Sequence, residues 1–247
     1  MKIEIIPQFE YLREYIESLP QRFESEGRTI HAGRNIVKVL SVNGMEINIK
    51  RYHVPSFINK FIYSFIRPPK GWRAYTYAQQ LLEKGFETPQ PIAYIEEHSC
   101  GLIGYSYFVS VQSPYTHRFY EFGDCPIEKC EKVVTSFAHY VAALHESGVL
   151  HCDFSPGNIL FDNINGEYRF SLVDINRMRF CKVDIKKGCA NFARLWGQKA
   201  FFILLAKEYA QARGLNETAC IELILSYRKK FWQRYTKKHK AEFHLEF

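Results

Sequence analysis

The sequence predicts an α+β protein in two lobes, a small sheet-rich one over residues 1–111 and a larger helical one over residues 112–247. Three observations predict this. Strand-like runs fill the first half, and from Pro126 onward apolar residues recur at helical spacing instead. Asn43-Gly44 and Asn165-Gly166 each lie between two strand-like runs, a strong short-range hairpin signal. A polar loop from His151 to Asn158 follows the change of period, where a sheet lobe and a helical lobe would leave a cleft.

The elements follow in order. Thr29-Ile30-His31, Asn35 to Val42 and Met45 to Tyr52 read as strands, the last two joined by the Asn43-Gly44 turn. Residues 72–84 read as a helix stopped by Gly85 and by Pro89 beyond it. Pro91 to Glu96 and Leu102 to Val111 are two further strands, so the first half is mostly sheet with one helix. Asp124 and Pro126 open a helix whose apolar face carries Val133, Val134, Phe137, Val141 and Leu144, ending at Gly148. After the polar loop come a hairpin, 158–162 with 168–173, and two helical patterns over 190–212 and 217–238.

Composition removes several classes of function. With 47% hydrophobic and 16% aromatic residues the chain is not a disordered one. Seven cysteines, an odd number with no C-x-x-C pair, argue against a disulfide framework or structural zinc site and fit reduced thiols in a cytoplasm. The N-terminal stretch MKIEIIPQFEYLREYIE is broken by charge every few residues, unlike a signal peptide. Ala200 to Ala206 is apolar but too short to cross a bilayer, so the chain is expected to be soluble or to sit on a membrane surface. The net charge of +7 favours anionic partners. Basic residues cluster at Arg67 to Arg73 and at Arg228 to Lys240. The second cluster, interleaved with Phe231, Trp232 and Tyr235, is either a membrane anchor or a solvated helix packing its aromatics on the large lobe.

The hairpin sharpens the polar loop. With Asn165-Gly166 as the turn, Leu160 faces Ser171, Asn158 faces Val173, and Asp174 lands beside Asn158 with Asp153 over both. Two carboxylates and a carboxamide are hard oxygen ligands, suited to a magnesium ion that keeps phosphate oxygens and waters in its shell. H-x-D-x-x-x-x-N followed by a later aspartate is the pattern of phosphoryl transfer. On that pattern His151 and Asp153 are catalytic candidates, with Asp153 the base, and Asn158 and Asp174 are metal ligands. A merely polar helix-to-strand connection is the bland alternative, and four coinciding spacings weigh against it.

The chain resembles the lipopolysaccharide core kinase (Kdo/WaaP) family. Five stretches carry the resemblance: Gly33-Arg34-Asn35, Ile49 to Tyr52, Thr88 to Ala93, His151 to Leu160 and Leu172 to Arg177. The His-x-Asp loop is shared across kinase-like folds, whereas Asp174 followed by Ile-Asn-Arg is more particular to this family. The resemblance implies a protein-kinase-like fold, ATP and Mg2+ as cofactors, and a Kdo or heptose hydroxyl of the lipid A-linked core as acceptor. It places the reaction in the cytoplasm at the inner face of the inner membrane, in contact with anionic lipid and without nucleic acid. Lys50 matches the strand lysine that pairs with nucleotide phosphates, and Gly33, Arg34, Asn35 and Gln112 complete the cofactor-binding set.

One departure stands out. The helix expected to offer Lys50 a glutamate reads Trp72 to Gln79 without an acid, and the first one is Glu83. Two readings therefore stand beside the lipopolysaccharide kinase: a phosphotransferase for another small molecule, and a nucleotide-binding scaffold without turnover. Only 16 residues separate Asp174 from a helix beginning at Asn191, too few for a long activation segment. His139, His145 and Cys152 read as structural, and Arg177 and Arg179 as acceptor-phosphate ligands or structural partners.

Overall fold

The computed structural model describes residues 1–247, the side chain of Phe57 excepted. The chain forms two compact units, residues 1–114 and 115–247. The first ends three residues past the expected boundary, because Gln112 is held to β4 (Met45–Tyr52): its N–H donates to the Glu46 carbonyl at 2.9 Å and its Oε1 accepts from Asn48 at 2.8 Å.

The first unit is a six-stranded antiparallel sheet. Its strands are β1 (Lys2–Ile5), β2 (Arg28–Ala32), β3 (Ile36–Val42), β4, β5 (Pro91–Ser99) and β6 (Leu102–Val111). They lie in the order β1-β5-β6-β4-β3-β2. Three helices accompany them, α1 (Arg13–Arg22), α2 (Phe57–Phe65) and α3 (Lys70–Glu83), where the sequence led us to expect only the last. The first has charged residues throughout and Pro20 inside it, yet Ile16, Leu19 and Phe23 are spaced to bury one stripe. That stripe covers one sheet face, in a core with Ile47, Ile49, Ile92 and Val109. Helix α3 packs closely on Tyr94 and Ser106. A Cβ on Gly71 would stand 2.9 Å from the Tyr94 ring, so only glycine lets that helix begin there.

The second unit holds β7 (His117–Arg118), α4 (Ile127–Glu146), β8 (Val149–His151), β9 (Ile159–Ile164), β10 (Glu167–Leu172), β11 (Met178–Phe180), α5 (Ile185–Asn191), α6 (Lys199–Ala212) and α7 (Glu217–Tyr235). The hairpin has the expected register, with Leu160 opposite Ser171 and the Val173 N–H donating to the Asn158 carbonyl at 3.0 Å. The pattern expected as one helix over 190–212 is two, parted at residues 195–198. Arg228 explains the break: fully buried, it donates to the Gly197 carbonyl at 2.7 Å and to the Glu246 carbonyl, and its guanidinium lies 4.5 Å from the Phe202 ring centroid. Burial pushes its pKa down to about 10. In the terminal basic cluster Trp232 is buried and packs on Phe243 at 5.0 Å, Phe231 is half-buried and Tyr235 is exposed. An aromatic core of Phe119, Phe137, Phe154, Phe192 and Tyr209 lies beneath the polar loop.

Candidate active site

The loop begins where β8 ends. His151 is buried, with Nδ1 accepting from the Asp153 N–H at 3.1 Å and Nε2 donating to the Val173 carbonyl at 3.0 Å. Those partners select the Nε2–H tautomer, and burial lowers the ring's pKa, so it is held neutral. Its carbonyl accepts from Asn191 at 2.9 Å, and Asn191 Oδ1 in turn meets His145 Nε2 at 3.1 Å. His145 completes the chain on the Tyr209 hydroxyl at 2.7 Å. The loop is thus tied to the aromatic core through Asn191 and His145, a link that no motif in the sequence marks.

Beyond His151 the chain turns tightly. The Asp153 carbonyl accepts from the Ser155 N–H at 2.9 Å and from Asn158 Nδ2 at 2.8 Å. The nitrogen end of the Asn158 amide is therefore used, which leaves its oxygen as the end for a cation. Gly157 passes so near Tyr120 that a Cβ would lie 2.6 Å from the phenol oxygen.

Asp174 follows β10 and Val173 with φ 54° and ψ 41°, the left-handed region. The other non-glycine residues with positive φ, Asn43, Cys100 and Asn165, sit in hairpin turns; Asp174 does not. Strain of this kind persists where surrounding contacts enforce it. Here the buried Asn176 donates to Asp174 Oδ1 at 2.5 Å.

The Asp153 carboxylate is bracketed by cations. Oδ1 pairs with Arg194, and Oδ2 lies 3.6 Å from Arg177. Arg194 belongs to the short turn after α5 and has no sequence signal of its own.

The remaining candidates belong to the first unit. Lys50 lies on β4 opposite Val37 and Phe108, its Nζ 5.5 Å from the Tyr52 ring centroid. Gly33, Arg34 and Asn35 form the bend between β2 and β3, where the Gly33 N–H donates to the Asn35 carbonyl at 3.2 Å. Asn35 Oδ1 accepts from the His53 N–H at 3.3 Å. On α3 the buried positions are Gly71, Arg73, Ala74, Tyr75, Ala78 and Leu81, none of them acidic, and Glu83 is exposed at the helix's last residue. Among the described residues no three His, Cys, Asp or Glu side chains gather round a metal-sized space. A single carboxylate and a carboxamide suit a magnesium ion that takes its other ligands from phosphates and water, not a zinc ion caged by protein.

Comparison with known proteins identifies the fold and the family. The solved structure titled "WaaP in complex with acyl carrier protein" superimposes with a TM-score of 0.63 at 16% identity, over 97% of this chain and 100% of that one. At that identity the likeness shows the fold, an α+β protein-kinase-like one in two units. A kinase domain of Mycobacterium tuberculosis PknI aligns at a TM-score of 0.40 and 14% identity, over 78% of this chain and 74% of that one. A search of curated proteins gave no match. The model described as "Lipopolysaccharide kinase (Kdo/WaaP) family" matches residues 24–212, and the chain belongs to that family of phosphotransferases, which use ATP to phosphorylate a sugar hydroxyl.

Proposed function

We propose that the protein transfers the γ-phosphoryl group of Mg-ATP to a hydroxyl of Kdo on the lipid A-linked core, at the cytoplasmic face of an anionic membrane. The observation that carries the reading is the loop itself: Asn158 and Asp174 stand at the open end of one hairpin, and Asp153 is joined to Asn158 through its carbonyl. In this reading Asp153 accepts the acceptor hydroxyl's proton, Asn158 Oδ1 and the Asp174 carboxylate hold magnesium, and Lys50 pairs with nucleotide phosphates. The bound ion supplies charge neutralisation on the phosphates. Gly33, Arg34, Asn35 and Gln112, the residue after β6, would contact the nucleotide in this reading. His151 touches no reacting atom in this scheme; both its nitrogens are used to position the loop.

Between Kdo and heptose, the arginines favour Kdo. Arg177 and Arg194 flank Asp153, and Arg179 follows on β11. A sugar acid brings a carboxylate that a guanidinium can grip, which a neutral heptose lacks. The test compares Kdo-lipid A with the same acceptor whose Kdo carboxylate is methyl-esterified. Equal kcat/KM on the two would refute the choice of Kdo while leaving the kinase in place.

A further inference from the structure

Helix α2 is built the wrong way round for a helix lying on a soluble surface. Its apolar residues Ile58, Phe61, Ile62 and Phe65 fall on one face at helical spacing. Normally that stripe is buried. Instead Ile58 is 75% exposed, Phe61 56% and Phe65 66%, with the adjoining Ile66 at 71%, and Ile62 alone of the stripe is half-buried. The side turned to the sheet is polar at Ser64, whose hydroxyl accepts from the Ile103 N–H on β6 at 3.1 Å. The Phe61 and Phe65 rings lie against one another, with centroids 4.9 Å apart. Other large exposed apolar residues among those described, such as Tyr11, Ile30 and Ile164, are scattered singly, so α2 carries a patch.

Charge says what covers it. From Ile47 to Leu82 the chain has no Asp or Glu, but carries Lys50, Arg51, Lys60, Arg67, Lys70 and Arg73. Lys60 lies on the flank of α2 away from its apolar face and Arg67 just past its end, and among the described residues neither is in an ion pair. In space Lys2 joins Arg67 in a pocket beside Phe65 and Ile66, and the one acid lining that pocket, Glu96, is buried. A short helix with an outward aromatic and aliphatic face, whose exposed neighbours in the chain carry only positive charge, matches a helix lying in the headgroup layer of an anionic bilayer. A neutral protein groove would not call for that charge, and an acidic one would be read in the test as binding without vesicles.

We propose that α2 is the membrane-binding element of this protein, inserting Ile58, Phe61 and Phe65 among the acyl chains of anionic lipid while Lys60 and Arg67 meet the phosphates. The inference deepens the membrane-side reading above. It also moves the anchor from the Arg228–Lys240 cluster, whose Trp232 is buried against Phe243, to the first unit.

The test is flotation of the full chain with vesicles of phosphatidylglycerol and phosphatidylethanolamine, against phosphatidylcholine alone, without ATP or acceptor. Omitting them separates failure of this inference from failure of the kinase reading. The wild type should float with the anionic vesicles only. Phe61→Glu with Phe65→Glu should weaken binding at least about 10-fold while leaving ATP turnover on a detergent-dispersed acceptor intact. Lys60→Glu with Arg67→Glu, which leaves the apolar face alone, should make the binding weaker and insensitive to salt. Lys237→Glu with Lys238→Glu should change nothing. No flotation of the wild type, or undiminished flotation of the phenylalanine variant, would overturn the proposal. So would a dimer in sedimentation that the phenylalanine variant dissociates without any vesicle binding, since a second copy would then be the occupant.

Discussion

Replacing Asp174 in two different ways separates its charge from its structural contacts. The residue sits at φ 54°, and its Oδ1 is the acceptor for the buried Asn176. Asp174→Asn keeps an acceptor oxygen at the same place, tolerates the left-handed region and removes only the charge. Its stability should stay within about 0.5 kcal/mol of the wild type. Asp174→Ala leaves the buried Asn176 amide without that acceptor, at about 1–3 kcal/mol, and puts alanine at positive φ for about 1 kcal/mol more. The sum, about 2–4 kcal/mol, corresponds to a fall in Tm on the order of 8 °C for a chain of this size. Thermal unfolding without nucleotide reads the stability, and magnesium-dependent ATP turnover reads the metal. Both variants should lose about 100-fold or more in turnover, because a metal ligand is worth several kcal/mol in the transition state. An asparagine variant with wild-type turnover would remove Asp174 from the metal site. An alanine variant as stable as the wild type would refute the account of the strained backbone.

Three further outcomes are expected. Asp153→Asn keeps the side chain's shape and should lower kcat by roughly 10²- to 10⁴-fold with little change in the KM for ATP; an unchanged kcat would exclude a general base there. Lys50→Ala should raise the KM for ATP and lower kcat, as read from initial rates at varied ATP, and a variant with neither change would take Lys50 out of nucleotide binding. Stability should fall as the solution is acidified. Burial pushes the His145 pKa down to about 4, against 6.5 for a free imidazole, with Arg213 lowering it and Asn191 and Glu146 raising it. The unfolded chain therefore binds the extra proton first. The stabilisation is complete above pH 6.5 and is lost as pH falls toward 4, up to about 3 kcal/mol from this residue. His151, also lowered by burial, acts in the same direction. Tm measured from pH 7 to pH 4.5 should drop, and His145→Gln should flatten the curve; a wild-type Tm independent of pH would contradict it.

Much of this was legible in the sequence, for identifiable reasons. The hairpin register followed from Asn165-Gly166, since a two-residue turn leaves the strands little freedom. Helix α1 was hidden because Pro20 and a run of charges obscure a stripe of only three apolar residues. Helix α2 was missed although its apolar residues recur at helical spacing, because it is only nine residues long and is closely bracketed by Pro55 and Pro68. The division between α5 and α6 depends on Arg228, distant in sequence, reaching the Gly197 carbonyl. The loop motif identified Asp153, Asn158 and Asp174 as a set, because their spacing and the hairpin bring them together. Arg194 and Asn191, and the link His145 makes to the loop, came to light only in three dimensions, for each acts from a separate helix or turn.

The most direct test follows label from γ-labelled ATP into Kdo-lipid A under single-turnover conditions, with wild type and Asp153→Asn side by side. The account predicts label in the lipid product for the wild type, dependent on magnesium, and a rate lower by roughly 10²-fold or more for the variant. Label moving only to soluble sugars or alcohols, or transfer at the wild-type rate by the variant, would contradict it.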